Sequence, residues 1–245
     1  IRVKAPTSKF FKETNKLFKT PKNMKKPIIA ASALIIPFFV ATAQDTDKSK
    51  WKDVGIEFPK PMFVGTPVAA KLPNLDKSKK PRLVLKAPAG VENLALDMEV
   101  TSSDPEPIIG DLDMICDGDK DGADGSYTEL GPGKQWVQVD LEEEATIYGI
   151  VVWHFHKNAR AYIDVVAQLS NDPEFKEGVI NVFNNDHDNS SGAGVGKDLA
   201  WVETNHGRIL DVDGKKARYV RLLSNGNTAN EMNHYVEIEV YGTAE

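Results

Sequence analysis

From Asn93 to the C-terminus, apolar residues recur at every second position in short runs, and no window of ten or more residues carries a helical stripe with capping signals. Leu94, Leu96, Met98 and Val100 alternate with Ala95, Asp97, Glu99 and Thr101, which predicts one buried and one largely polar face. Val137, Val139 and Leu141 alternate in the same way with Trp136, Gln138 and Asp140. Further runs cover 147–153, 162–169, 179–183, 200–202, 217–223 and 235–241, separated by clusters of Gly, Asn, Asp and Pro. About eight short strands without crossover helices exclude a parallel α/β sheet and predict an all-β fold, an antiparallel jelly-roll β-sandwich.

The chain divides into three stretches. Residues 1–43 hold a basic segment and a secretory signal: Arg2 to Lys26 carries nine Lys/Arg against Glu13 alone, and Met24-Lys25-Lys26 leads into an apolar run ending at Ala41-Thr42-Ala43. That run is short for a bilayer crossing and Pro37 interrupts it, so the expectation is cleavage with no membrane span left afterwards. The protein is expected to be exported, to the periplasm, the cell surface or the medium. Residues 44–90 contain six prolines and no sustained period, and read as an irregular proline-rich linker or wrapping arm. Within it Trp51, Phe58, Met62 and Phe63 are apolar enough to pack on a neighbour, and a protein partner bound through 44–90 would use such anchors. Residues 91–243 are the sandwich.

Charge excludes one large class of partner. The whole chain carries 30 basic and 36 acidic residues, and without the basic N-terminal segment the balance is 21 against 35, or −14. A surface of that sign repels phosphate backbones, so nucleic acid is not an expected ligand. With one cysteine, Cys116, there is no intramolecular disulfide and no dithiol metal site.

The order Asn93-Leu94-Ala95-Leu96, Val100-Thr101-Ser102-Ser103, Cys116-Asp117-Gly118-Asp119, Gly133-Lys134-Gln135-Trp136-Val137-Gln138-Val139-Asp140-Leu141, Ala217-Arg218-Tyr219-Val220-Arg221-Leu222 and Val236-Glu237-Ile238-Glu239-Val240-Tyr241-Gly242 resembles the discoidin, or coagulation factor five/eight type C, family. The resemblance covers residues 90–243 and implies a galactose-binding-like jelly roll, mostly non-catalytic, often a carbohydrate-binding module. Arg218 and Arg221 fall on opposite faces of their strand, so at most one is expected to point inward, with Asp140 as its carboxylate partner.

Asp117-Gly118-Asp119-Lys120-Asp121-Gly122-Ala123-Asp124-Gly125 sets oxygens at alternating positions with glycines that let the chain curl round a hard cation. Its opening imitates an EF-hand, but the twelfth position is Thr128, Glu129 comes one residue late, and flanking helices are absent. The resemblance implies instead a structural calcium held between Asp117, Asp119, the main-chain carbonyl of Val236 and Glu237, with Asp121, Asp124, Ser126 or Thr128 completing the shell. The bland alternative is a solvated turn.

For a ligand, the resemblance implies end loops in which a ring lies against a sugar and His, Arg or Asn bonds its hydroxyls. Candidates are His154 and His156, two apart on one strand face, then Arg160 and Tyr162, and from the loop before the last strand Asn227, Asn233 and His234. The cluster 184–192 is also rich in amide and imidazole groups that could meet a ligand, but reads first as a polar surface loop. Gly192 to Asp198 is not a phosphate loop, since Ser191 stands where its first Gly belongs and Asp198 where Ser or Thr should bind magnesium. No nucleophile elbow or His-Glu-x-x-His occurs, and Glu142-Glu143-Glu144 reads as a turn, so catalysis is not expected. A secreted glycan-binding module is the leading expectation; a structural or adhesion subunit binding a protein partner is the alternative.

Overall fold

The computed structural model describes residues 47–62, 72–78 and 82–244. The basic segment, the expected export signal and Phe63 lie outside the described residues. Thirteen strands succeed one another among those described. In chain order they are β1 (Lys52–Asp53), β2 (Lys86–Ala87), β3 (Glu92–Asn93), β4 (Val100–Ser102), β5 (Thr128–Leu130), β6 (Gln135–Trp153) and β7 (Ala161–Tyr162). There follow β8 (Val166–Ser170), β9 (Ile180–Asn184), β10 (Trp201–Val202), β11 (Arg208–Ser224), β12 (Asn233–Tyr235) and β13 (Glu237–Ala244).

The fold is the expected antiparallel jelly-roll sandwich. Its main sheet runs β3-β13-β6-β11-β8-β9, with β4 also on β6, and short pairs β12-β5 and β10-β7 flank it. Two long strands carry the architecture. The first half of β6 pairs with Tyr219 to Ser224 of β11, and its second half pairs with β13 and with Arg208 to Lys216. Bulges between Asp211 and Lys215 and between Ala217 and Tyr219 bend β11 so that it serves both stretches. Glu142 sits at φ +66 inside β6, so Glu142 to Glu144 is an irregularity in a continuous strand rather than a turn. Val137, Val139 and Leu141 face a core that also takes Ile147, Ile150, Leu169, Leu222, Tyr235 and Ile238.

One sequence expectation is corrected. The alternation from Leu94 does not make a strand: the Asn93 side chain accepts from the Ala95 N–H at 3.1 Å and the chain turns through 94–97. Ala95 is therefore buried and Leu96 exposed. Neither arginine of β11 enters the core. Arg218 forms a bidentate pair with Asp140 (2.7 and 2.8 Å) at the rim, and Arg221 lies between the rings of Trp136 and Phe175, donating to Gln138 Oε1. The solvent side of the sheet offers both guanidinium groups water and a stacking surface, which burial would not.

The arm packs on the sandwich, and Asp45–Glu245 form one compact unit. β1 and β2 pair with each other, and the Trp51 ring meets Tyr148 edge-on at 5.4 Å. Leu85 seats against Gly149 of β6, where a Cβ would overlap its methyl groups. Ile56 joins Val151, Trp153 and Val236, and Phe58 lies beside Trp153 and His206. The Asn205 amide donates to the Pro59 carbonyl at 2.7 Å. The outer face of β6 is apolar because this segment covers it.

Candidate functional site

The loops at one end of the sandwich meet around Tyr162 to Asp164. His154 and His156 follow β6 directly and are fully buried. His154 stacks on Tyr162 with ring centroids 4.1 Å apart, and Glu203 Oε2 accepts from its N–H at 3.2 Å and lies 3.0 Å from its Nδ1. The same oxygen accepts from Trp201 Nε1 at 2.9 Å. His156 Nε2 bonds to the Lys120 carbonyl at 2.8 Å, which ties the acidic loop to the sandwich. Both imidazoles are shut off from solvent, and His154 Nε2 and His156 Nδ1 have no hydrogen-bond partner among the described residues.

Arg160 is buried with its guanidinium 4.6 Å over Phe155, and its Nε and Nη1 have no hydrogen-bond partner among the described residues. His234 is enclosed between the Tyr162 hydroxyl (3.1 Å from Nδ1) and Glu129 Oε2 (2.9 Å from Nε2). Asn233 spends its side chain on Ser224, Gly226, Gly131 and Gly133, and Asn227 caps its own loop at Ala229, Asn230 and Met232. These residues hold the loops in place rather than face solvent.

Burial, aided by the nearby Arg160 charge, pushes the His234 imidazole down to about 3 from 6.5. The Glu129 carboxylate would favour a charged ring, but the ring already has a neutral arrangement that satisfies both nitrogens, accepting from Tyr162 and donating to Glu129. The unfolded chain takes up a proton near pH 6.5 and the folded protein does not until about 3. Stability should therefore fall as pH drops below about 6.5, by up to about 1.4 kcal/mol per unit. Urea unfolding between pH 7 and about 5 should show this decline in the wild type and a flatter profile in His234→Gln.

What the loops leave open is a cavity of about 380 Å³ lined by Leu72, Pro73, Tyr162, Ile163, Asp164, Asn185, His187, Asp188 and Ala200. Asp164 is its hub, accepting from Ser190 Oγ at 2.7 Å and Asn225 Nδ2 at 3.0 Å, and so joins the 184–192 and 225–232 loops. Asp164, Asp186 and Asp188 bring carboxylate oxygens within 4.8 Å of one another. Asp186 is spent inward on Ser190 and Ser191, whereas Asp188 is exposed. His187 Nδ1 donates to the Gly196 carbonyl (3.1 Å), which leaves Nε2 as an acceptor. Of the sequence candidates only Tyr162 lines this cavity. The cluster 184–192 supplies the polar wall, and its signal in the sequence was indistinguishable from an ordinary turn. Asn227 lines an adjoining depression with Gly133, Ile163, Asn225 and Asn230.

At the acidic loop the structure joins the two distant stretches. The Gly118 N–H donates to Glu237 Oε2 at 3.1 Å, and Gly122 approaches Val236 so closely that a Cβ would lie 3.1 Å from its methyl group. Glu237 is fully buried, its Oε1 has no partner among the described residues, and burial pushes its carboxyl up to about 9. Lys120, which the sequence reading passed over, clamps the loop through Glu239 at 2.6 Å and the Glu57 carbonyl at 3.2 Å. Asp117, Asp119, Asp121 and Asp124 are all exposed, and the first two each bond an N–H two residues on. A buried carboxylate oxygen without a donor suits a hard cation, as do the carbonyls of a tight glycine-rich loop. Glu237 Oε1 therefore has the chemistry to meet a cation, although the four exposed aspartates do not join it in a group of three close carboxylates.

No family model matches the chain, and no curated protein does. Solved structures similar to it include the chitosan-binding module 1 of a chitosanase/glucanase from Paenibacillus sp. IK-5, at 22% identity and TM-score 0.44, covering 62% of this chain and 99% of that one. A Streptococcus pneumoniae fucose-binding module, SpX-3, is similar at 17% identity and TM-score 0.46, covering 63% and 99%. The CBM32 of AlyQ in complex with 4,5-unsaturated mannuronic acid is similar at 16% identity and TM-score 0.44, covering 59% and 95%. These likenesses are distant. What this chain binds has to be read from its own residues.

Proposed function

We propose that this chain is a non-catalytic glycan-binding module of an exported protein, with its ligand in the cavity beside Tyr162 and a structural calcium at Glu237. The observation that carries the reading is the mixed lining of the cavity. Asp164, Asn185, His187 and Asp188 supply its polar groups, and Leu72, Pro73, Ile163 and Ala200 its apolar ones. A sugar ring is likewise polar at its hydroxyl rim and apolar on its C–H face. The carboxylates and His187 Nε2 would accept from hydroxyls, and the Asn185 amide would donate. A volume of about 380 Å³ lies at the small end of ligand sites, which suits one or two sugar units. A site of that size supports modest affinity, on the order of 10⁻³ to 10⁻⁵ M.

Calcium would be held by Glu237 and the loop over 117–124, with the Val236 carbonyl beside them. Its role there is to neutralise a buried carboxylate and to fix the loop against the start of β13. The alternative reading, a subunit gripping a protein partner through the arm, is weakened because Trp51 and Phe58 are already packed on this domain.

Glycan-array screening followed by calorimetry tests the reading. The wild type should bind a defined sugar, and Asp188→Asn should bind it about tenfold more weakly, the usual worth of a charge-assisted hydrogen bond. Full affinity in Asp188→Asn would remove the cavity from consideration.

A further inference from the structure

The cavity has no exposed aromatic ring among the described residues that line it. Tyr162 forms its floor but is only 2% exposed, because its ring face is taken by His154. The stacking partner that a sugar-binding loop ordinarily supplies is therefore absent from the sandwich itself. Much of the apolar wall comes from the arm: Leu72 is half-buried and Pro73 exposed at the cavity edge.

This part of the arm is anchored. The Ala200 N–H donates to the Asn74 carbonyl at 3.0 Å, next to the edge strand β10. Asn74 turns the chain with φ +51, and its amide reaches the Lys197 carbonyl at 3.5 Å. Asp76 lies near enough to Arg208 to favour that guanidinium's charge, and Arg208 is fixed by stacking on Phe183 and Trp201 and by donating to the Ala200 carbonyl at 3.0 Å. A backbone bond and a charge contact thus hold the segment at and just after the turn over Pro73 and Asn74, with Leu72 immediately before it.

We infer that the proline-rich arm is part of the binding site, with Leu72 and Pro73 providing the apolar surface for the C–H face of the sugar while the 184–192 loop holds its hydroxyls. This rests on the glycan reading above and deepens it: affinity and sugar choice depend on a segment that precedes the sandwich by about twenty residues. Proline suits the role, since its ring is rigid and loses no side-chain entropy on contact.

The test uses the protein carrying both arm and sandwich, with methyl galactoside, methyl fucoside and glucosamine as probes. Leu72→Ala combined with Pro73→Ala should weaken binding of the best probe about fivefold or more, the value of a small apolar contact, with an unchanged melting temperature. In the wild type, the Leu72 methyl resonances should shift on titration with that probe. Unchanged affinity in the double variant, or unmoved Leu72 methyls while Asp188→Asn loses binding, would overturn the arm's role and leave the cavity reading intact. If the wild type binds none of the probes nor any arrayed glycan, both fall together.

Discussion

Replacing Glu203 with alanine is expected to destabilise the domain by about 3–5 kcal/mol, the cost of breaking a buried charged network by removing one partner. A single carboxylate oxygen receives the main-chain N–H of His154 and Trp201 Nε1, and His154 Nδ1 sits beside it. All of these groups are shut off from water, so deletion strands donors that nothing else can satisfy. For a domain of this size the loss corresponds to a fall in Tm of roughly 10 °C. Glu203→Gln should cost less, because the amide oxygen keeps an acceptor in place. Thermal and urea unfolding of both variants measure it; a loss below about 1 kcal/mol in the alanine variant would show that the network is not closed as drawn. Since His154 carries the ring against which Tyr162 stacks, the variant should also loosen the cavity floor.

The second large effect concerns the ion proposed at Glu237. Calcium at a hundredfold excess over its Kd contributes about 2.7 kcal/mol, so Tm should fall by about 5–10 °C when EGTA strips it. The informative variant is Glu237→Gln, whose effect should change sign. In calcium it removes the ligand and lowers Tm. In EGTA it replaces a buried carboxyl that lacks a partner for Oε1 with a neutral isostere, so Tm should rise or hold. Identical melting of the wild type with and without calcium would exclude the ion.

The class of fold was legible because period-two burial is written into the residues themselves: Val137, Val139 and Leu141 are core wherever the register falls. The meeting of the Asp117 loop with Glu237 was also anticipated, from the resemblance. Other features were not legible, for specific reasons. Leu94 to Val100 alternates, but the Asn93 side chain captures the Ala95 N–H, together with that of Val240 on β13, and makes a turn, a competition that pattern counting does not weigh. His154, His156 and His234 looked like ligand contacts because imidazoles are polar. Their partners, Glu203, the Lys120 carbonyl and Glu129, lie 49, 36 and 105 residues away, and only the fold could reveal that all three rings are buried against them. The cavity was hidden for a related reason. Its lining comes from the arm, the turn after β7, the 184–192 loop and the start of β10, and no one of these stands out from ordinary surface sequence.

The seat of Leu85 on Gly149 has a practical bearing on where this domain begins. A boundary drawn by resemblance alone, at residue 90, would discard Leu85, Ile56 and Trp51 together. It would lay bare a notch in the middle of β6 flanked by Val151, Trp153 and Tyr148. Such a stripe is sticky, so a protein trimmed to the bare sandwich would self-associate even with every sheet hydrogen bond in place. The compact unit starts at Asp45, ahead of the first of the arm's prolines.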